Sequence, residues 1–434
     1  NYRPFISEIV SYYNKYEGAM LPYTPIHHIL FSYINIPLIM TSGNLSEEPI
    51  ASKNSEAYKN LKAICDYFLV HNRDICSKYD DSVLKIFNNK EMILRRARGY
   101  APYPIKLDIN IRDKVIFASG AQEKNTFCFI TENYAILSQH IGDLDNYESM
   151  EFYKTTIKKY KKLFGLKKID FVAYDLHPDY NSTKYVLKSF NLSEKIAFQH
   201  HKAHIAGVIA ENNLFKKINK AKYTSEVKNT EEILGFAWDG TGFGDDGKIW
   251  GSEIFIVNNK FNFKRIGHLS EKFMPGGEAA IKSPYRMGFK YIYEHWKKYN
   301  SNISKKNPKY KNFNKYFFEK FNFYKNIIAP LEFDILKEQS ETGFNSPLTT
   351  SMGRFFDAVS SVLNLTHHAS YEGEAAVHLE MIADESVKEY YDFNFINNKS
   401  KNSDFKKNYF EIDDIYIFNQ IITDIENKID VKII

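Results

Sequence analysis

Two histidines four residues apart carry the most specific chemistry in this chain. In Gln199-His200-His201-Lys202-Ala203-His204, a helix over 199–212 sets His200 and His204 one turn apart on one face, where their imidazoles can share one ion. Asp239, at the end of the apolar run Ile233–Trp238, can supply a third ligand. His201 points about 100° away from the His200 face and is excluded. The pair alone does not bind metal, so a histidine-rich helix start with one packed ring and two solvated rings explains it equally well.

Three further clusters bear on phosphate chemistry. Ser42, Gly43, Asn44 and Ser46 follow the apolar run Ile36–Thr41, and backbone N–H groups just past a strand suit an anion or nucleotide. Ser46 followed by Glu47 and Glu48 fits an ordinary helix cap as well. Asp80, Asp81 and Ser82 lie near Arg95, Arg96 and Arg98, acids for a metal beside guanidiniums for phosphate or carboxylate, with a solvated surface hairpin as the simpler alternative. Gly242–Lys248 nearly spells a Walker A loop, but Ile249 stands where a hydroxyl must hold magnesium, and Asp245 and Asp246 would repel phosphate.

The elements that must position these groups follow from periodicity. The pattern predicts helices over 2–16, 54–65 and 148–164, and strands over 36–41, 67–70, 83–87, 92–94, 114–118, 127–130, 134–138, 169–174 and 196–198. A hairpin turns at Asn88-Asn89-Lys90, and Arg98–Pro104 reads as a linker. Gly120, Lys124 and Asn125 sit in a strand-turn-strand unit able to wrap a phosphate tail; an ordinary β-meander would look the same. A second glycine-turn hairpin joins 233–238 to 249–257, with Gly240, Thr241 and Gly242 beside it. Two such units suggest two related lobes facing one nucleotide, as in the actin/sugar-kinase class.

Residues 215–232 and 297–330 are rich in Lys, Asn and Tyr and read as insertions or surface helices. Beyond them, Ser351-Met352-Gly353-Arg354 opens a helix with Phe356, Val359, Val362 and Leu363 on one side and Arg354 and Asp357 available on another. A further helix begins across Ser370–Ala376, and the N–H groups after Gly373 can meet a nucleotide. Glu380 reaches the same pocket or is simply solvated.

Composition narrows the class. A formal charge of +5 over 434 residues, with 26% charged and 44% hydrophobic residues, gives no nucleic-acid footprint. Cys65, Cys76 and Cys128 show no Cys-x-x-Cys spacing, which fits a reducing cytoplasm, and no apolar run approaches the roughly 18 residues that span a bilayer. A chain that starts at Asn1 and closes on Ile434 without a tail reads as a segment of a longer protein.

Leu21–His28, Met40–Ser46, His71–Asp74, Tyr79–Val83 and Leu94–Pro102 together resemble the later part of the YrdC-like domain of the HypF family, the hydrogenase-maturation carbamoyltransferases. Gly120–Phe127, Asp175–Tyr180, Gln199–His204, Trp238–Gly244, Trp250–Glu253, Met274–Gly277, Pro284–Gly288, Thr350–Ala358 and Tyr371–Ala376 resemble its TsaD-like domain.

The resemblance implies an α/β protein: an α+β YrdC-like domain over 1–103, then an actin/sugar-kinase-like domain of two lobes over 114–434. It implies ATP and Mg2+ at Ser42–Ser46 and the arginines, with His27, Asp80, Asp81 and Ser82 toward substrate. Gly120, Lys124, Asn125, Gly240, Thr241, Gly242, Gly353, Asp357 and Gly373 would bind nucleotide in the second domain. One divalent metal, Fe or Zn, would sit on His200, His204 and Asp239, the family's fourth ligand falling beyond Ile434. The implied reaction forms carbamoyl-adenylate from ATP and carbamoyl phosphate. The carbamoyl group then passes to the C-terminal cysteine of HypE, for the cyanide ligands of a NiFe-hydrogenase. An O-carbamoyltransferase acting on a small hydroxylated molecule, or a nucleotide-binding scaffold, is the alternative. Neutral imidazoles are required at the metal, so activity is expected to fall below a pH of about 6.

Overall fold

The computed structural model describes residues 8–11, 13–45, 48–191, 194–221, 232–396 and 409–434. The chain divides into two compact units, one of residues 24–229 and one that joins 1–23 to 230–434.

In the first unit, Pro25 opens helix α1 (Pro25–Tyr33), and the Thr24 side chain caps it by accepting the His27 N–H. Helix α2 (Asn54–Leu61) follows. Strands β1 (Val83–Phe87) and β2 (Lys90–Arg95) pair antiparallel through Asn88 and Asn89, whose φ values of 49° and 57° match a tight hairpin turn. Two expected strands are absent. Ile36–Thr41 and Tyr67–Val70 are irregular, with Ile36 62% and Tyr67 92% exposed. An apolar run becomes a strand only where a neighbour completes its ladder, and neither run has one among the described residues.

A six-stranded sheet organises the rest of this unit. Strands β3 (Ile105–Lys106), β4 (Val115–Ala118), β5 (Cys128–Thr131), β6 (Tyr134–Leu137), β7 (Phe171–Asp175) and β8 (Lys195–Phe198) take the order β3-β6-β5-β4-β7-β8. The first four are joined antiparallel, while β4, β7 and β8 run parallel. Parallel neighbours need crossovers, and α3 (Tyr147–Leu163) and α4 (Asn181–Ser189) supply them. Tyr153, Ile157 and Tyr160 of α3 pack with Phe117, Phe127 and Phe129 in one buried cluster. Helices α5 (His200–Glu211) and α6 (Leu214–Ala221) follow β8.

In the second unit, β9 (Glu232–Phe243), β10 (Ile249–Asn258), β11 (Phe263–Leu269), β12 (Lys272–Phe273), β13 (Leu348–Thr349), β14 (Phe395–Ile396) and β15 (Phe410–Ile412) form one sheet of order β12-β13-β10-β11-β15-β14, with β9 paired to β10. Helices α7 (Ala279–Lys282), α8 (Tyr285–Lys306), α9 (Phe313–Lys320), α10 (Pro330–Thr342), α11 (Met352–Val362), α12 (Glu374–Ile382) and α13 (Asp414–Glu426) complete it. The stretch 297–330, read as insertions or surface helices, is helical with many exposed residues but also carries a buried aromatic stripe. Phe313, Tyr316, Phe317, Phe321 and Tyr324 are all buried against α8 and α10, a helical spacing hidden by the intervening Lys and Asn. Of 215–232, residues 222–231 lie outside those described. The expected helix over 2–16 is one 3-10 turn, Glu8–Ser11, in its described part; beyond it Tyr13 stacks on His378 of α12, ring centroids 4.8 Å apart.

A buried polar knot ties the sheet to α13. Asp414, 0% exposed, bonds Lys272 Nζ at 2.8 Å and accepts from Ser270 Oγ and Tyr291 Oη, each at 2.6 Å. No described helix is long and apolar enough to cross a membrane. Asp414→Ala leaves the Lys272 ammonium buried and unpaired, so thermal and denaturant melts should show a loss of about 3–5 kcal/mol, and the double variant Asp414→Leu/Lys272→Met should recover most of it.

Candidate functional site

The histidine pair is built on the parallel strands of the first unit. Strand β8 ends at Phe198, and Gln199 turns the chain into α5, its Oε1 accepting the Lys202 N–H at 3.0 Å. Gln199 Nε2 also lies 2.9 Å from Nδ1 of His201, whose ring is fully buried, as the helix geometry requires. His200 and His204 then fall one turn apart, ring centroids 4.8 Å and Nε2 atoms 3.1 Å apart. Two ligands on one tetrahedral ion at ~2.0–2.1 Å stand roughly 3.3 Å apart, so the pair fits a shared divalent metal.

Asp175, at the end of β7 beside Phe198 of β8, places Oδ2 2.7 Å from His200 Nδ1, and its Oδ1 accepts the His177 N–H at 2.8 Å. A carboxylate on the far nitrogen fixes the tautomer that leaves Nε2 as the metal-binding atom. Sequence reading gave Asp175 only as the first residue of the Asp175–Tyr180 motif, just past the 169–174 strand, with no role of its own. Its signal was an acidic residue closing the strand adjacent to the one that delivers the histidines.

Asp239, the third residue of the expected set, belongs to the second unit. There β9 does not stop at Trp238 but continues to Phe243, so Asp239, Gly240, Thr241 and Gly242 lie within a strand whose register with β10 shifts between Trp250 and Ser252. Asp239 Oδ1 accepts the Gly240 N–H at 2.6 Å. Ser351 caps α11 through the Arg354 N–H and reaches the carbonyl oxygens of Gly240 at 2.6 Å and Asp239 at 3.0 Å. A Cβ on Gly353 would stand 2.8 Å from Gly240 Cα, and one on Gly251 would stand 2.6 Å from the Asp239 oxygen. Gly251 and Gly353 therefore serve close packing against the backbone of Asp239 and Gly240.

Helix α11 also departs from expectation. Phe355 faces the core while Phe356 is 37% exposed, because adjacent phenylalanines fit two helical stripes and the stripe shared with Val359 and Val362 wins. Arg354 and Asp357 are each 4% exposed and stand 2.9 Å apart, buried rather than available, and burial pushes the Asp357 carboxyl up to about 6. Gly373 caps α12 at φ 78°, and Glu380 is exposed.

A cavity of about 340 Å³ in the first unit gathers Ser42, Asn44, Asp80, Arg95 and Lys124. Gly43, Asp81, Ser82, Arg96, Arg98, His27, Gly120 and Asn125 do not line it, and Ser46 lies outside the described residues. Several of these close the backbone instead. Arg98 Nε bonds Asp81 at 3.1 Å, Ser82 Oγ donates to the Arg98 carbonyl at 2.8 Å, and Arg96 donates to the carbonyls of Tyr100 and Tyr103. Gly120 takes φ 73° where a Cβ would meet the Thr126 oxygen at 2.2 Å, and Asn125, 1% exposed, donates to the carbonyls of Ser119 and Ala121. The His27 backbone N–H donates to Thr24 Oγ1 at the start of α1. The same cavity holds His140, which was missed, with Nδ1 2.6 Å from Asp80 Oδ2.

Family comparisons place the chain in a class, proteins with a HypF Kae1-like domain preceded by a YrdC-like segment. A family described as "Carbamoyltransferase, Kae1-like Domain, second subdomain" matches residues 235–434, and "HypF Kae1-like domain" matches 112–211. The Sua5/YciO/YrdC family, described as "Telomere recombination", matches 2–97. The chain belongs to the HypF family.

It is 38% identical to carbamoyltransferase HypF of Synechocystis sp. over 89% of this chain and 48% of that protein. It is 35% identical to the probable carbamoyltransferase HypF of Methanocaldococcus jannaschii, over 86% of this chain and 45% of that protein. The chain thus spans about half the length of these curated relatives. A crystal structure of full-length HypF in the phosphate- and nucleotide-bound form matches with a TM-score of 0.80 at 39% identity, covering 97% of this chain and 49% of that one. That of T. kodakarensis HypF matches at 0.77 and 28% identity, covering 99% and 51%.

With zinc as the probe, Asp175→Asn should weaken metal binding about 10- to 100-fold by calorimetry while the melting profile stays close to wild type.

Proposed function

We propose that this chain carries the nucleotide-activating and transfer parts of a carbamoyltransferase that uses ATP, Mg2+ and carbamoyl phosphate and delivers the carbamoyl group to a cysteine of HypE. The observation that carries this reading is the oriented pair: two imidazole Nε2 atoms at metal-sharing distance, with Asp175 on the outer nitrogen of one. The relatives named carbamoyltransferase HypF, and a related structure holding phosphate and nucleotide, support it. In this reading residues 1–103 activate the substrate and 114–434 transfer it.

His200 and His204 would hold the metal, iron or zinc, with Asp239 as the carboxylate that the sequence resemblance adds. Bound there, such an ion supplies Lewis acidity toward a carbonyl or phosphoryl oxygen. The chain's own contribution is orientation. Asp175 keeps the proton at His200 Nδ1, so that Nε2 presents its lone pair, and the packing of Ser351 and Gly353 on β9 keeps Asp239 from drifting. In the cavity, Arg95 and Lys124 offer cations to phosphate oxygens, with the Ser42 hydroxyl beside them.

Elemental analysis of metal-loaded wild type, His200→Ala and His204→Ala tests the assignment. Each variant should lose at least about tenfold in metal affinity, as expected when one ligand of a small set is removed. Carbamoylation of HypE, followed by mass in the presence of ATP and carbamoyl phosphate, should fall with it. Wild-type metal content and transfer in both variants would overturn the site.

A further inference from the structure

We infer that His140, oriented by Asp80, contacts the ligand of the 340 Å³ cavity and in its imidazolium form donates from Nε2 to a phosphate oxygen. The inference rests on the reading above that this unit handles phosphorylated compounds. Asp80 Oδ2 takes Nδ1 at 2.6 Å, which leaves Nε2 as the nitrogen turned to other partners, and the ring keeps 16% of its surface exposed at the cavity wall.

The dyad is rigidly mounted on both sides. Gln139, directly before it, is locked by Tyr160, with the Tyr160 hydroxyl 2.9 Å from Gln139 Oε1 and the Gln139 N–H 3.1 Å from that hydroxyl. Gln139 Nε2 also donates to the Lys78 carbonyl at 3.2 Å, two residues before Asp80. Lys159 of α3 holds the Cys76 carbonyl, so the segment carrying Asp80 is pinned to the same helix that positions Gln139.

The charged groups facing His140 are Glu48, Lys78, Asp80, Arg95, Lys124 and Asp143, and Tyr79 is the remaining titratable side chain on the wall. Two of the three carboxylates are already engaged: Asp80 by His140 and Asp143 by the Lys124 backbone N–H at 2.6 Å. Lys78 is held by Glu56 at 3.2 Å, so Arg95, Lys124 and the His140 imidazolium are the cationic donors at this wall, a set that suits a phosphorylated ligand. A purely structural Asp–His pair would fasten the two segments just as well, and its loss would lower the melting temperature without a specific loss of ligand affinity.

Calorimetric titration of the full chain with inorganic pyrophosphate and, separately, with ATP tests this, beside thermal melts of wild type, His140→Gln and Asp80→Asn. Wild type should bind pyrophosphate about tenfold more tightly than His140→Gln, the value of one charge-assisted hydrogen bond. Asp80→Asn should lose part of the same affinity and serves where His140→Gln does not fold. Equal affinities of wild type and His140→Gln, or no binding of pyrophosphate to wild type, would overturn the inference. His140-dependent binding of pyrophosphate without binding of ATP would leave the inference standing and instead contradict the nucleotide reading.

Discussion

The hydrogen bond between Asp175 and His200 Nδ1, 2.7 Å long, is the interaction on which the metal reading depends. It exists because β7 and β8 lie side by side and parallel, so their C-terminal ends release Asp175 and Gln199 at the same edge of the sheet. Without that carboxylate the His200 ring could present either nitrogen, and the histidine pair would be a weak chelator. Loops and helix starts beyond the carboxyl ends of parallel strands are where α/β folds gather chemistry, and this one follows the rule.

The second unit reaches a comparable rigidity by other means. Its tightest junction is backbone against backbone, where Gly353 at the start of α11 meets Gly240 of β9 and Gly251 of β10 meets the Asp239 carbonyl. Ser351 fastens the junction with its hydroxyl. A side chain is excluded at Gly251 and Gly353, and the benefit is an Asp239 backbone packed directly against the start of α11. The buried Lys272–Asp414 pair with Tyr291 and Ser270 plays the corresponding part deeper in the core, joining the sheet to α13.

Much of this was legible in the residues themselves. The hairpin at Asn88-Asn89, the helix that sets His200 and His204 one turn apart and the exclusion of His201 all follow from local pattern, because turn chemistry and helical spacing act over a few residues. What failed was information that lives in partners. Ile36–Thr41 has a strand's composition but no ladder among the described residues, and 297–330 has a polar surface vocabulary around a buried aromatic stripe. The α/β class was correct, and so was the family. The role of Asp175 and the presence of His140 in the cavity needed coordinates, since each depends on a contact across 25 or 60 residues of sequence.

The most direct test of the central claim is anomalous diffraction at the metal edge from crystals of the zinc- or iron-loaded chain. The account predicts one peak at ~2.0–2.2 Å from Nε2 of both His200 and His204, with Asp175 still bonded to His200 Nδ1. A metal bound elsewhere in the chain, or coordinated through His200 Nδ1 with Asp175 displaced, would contradict it.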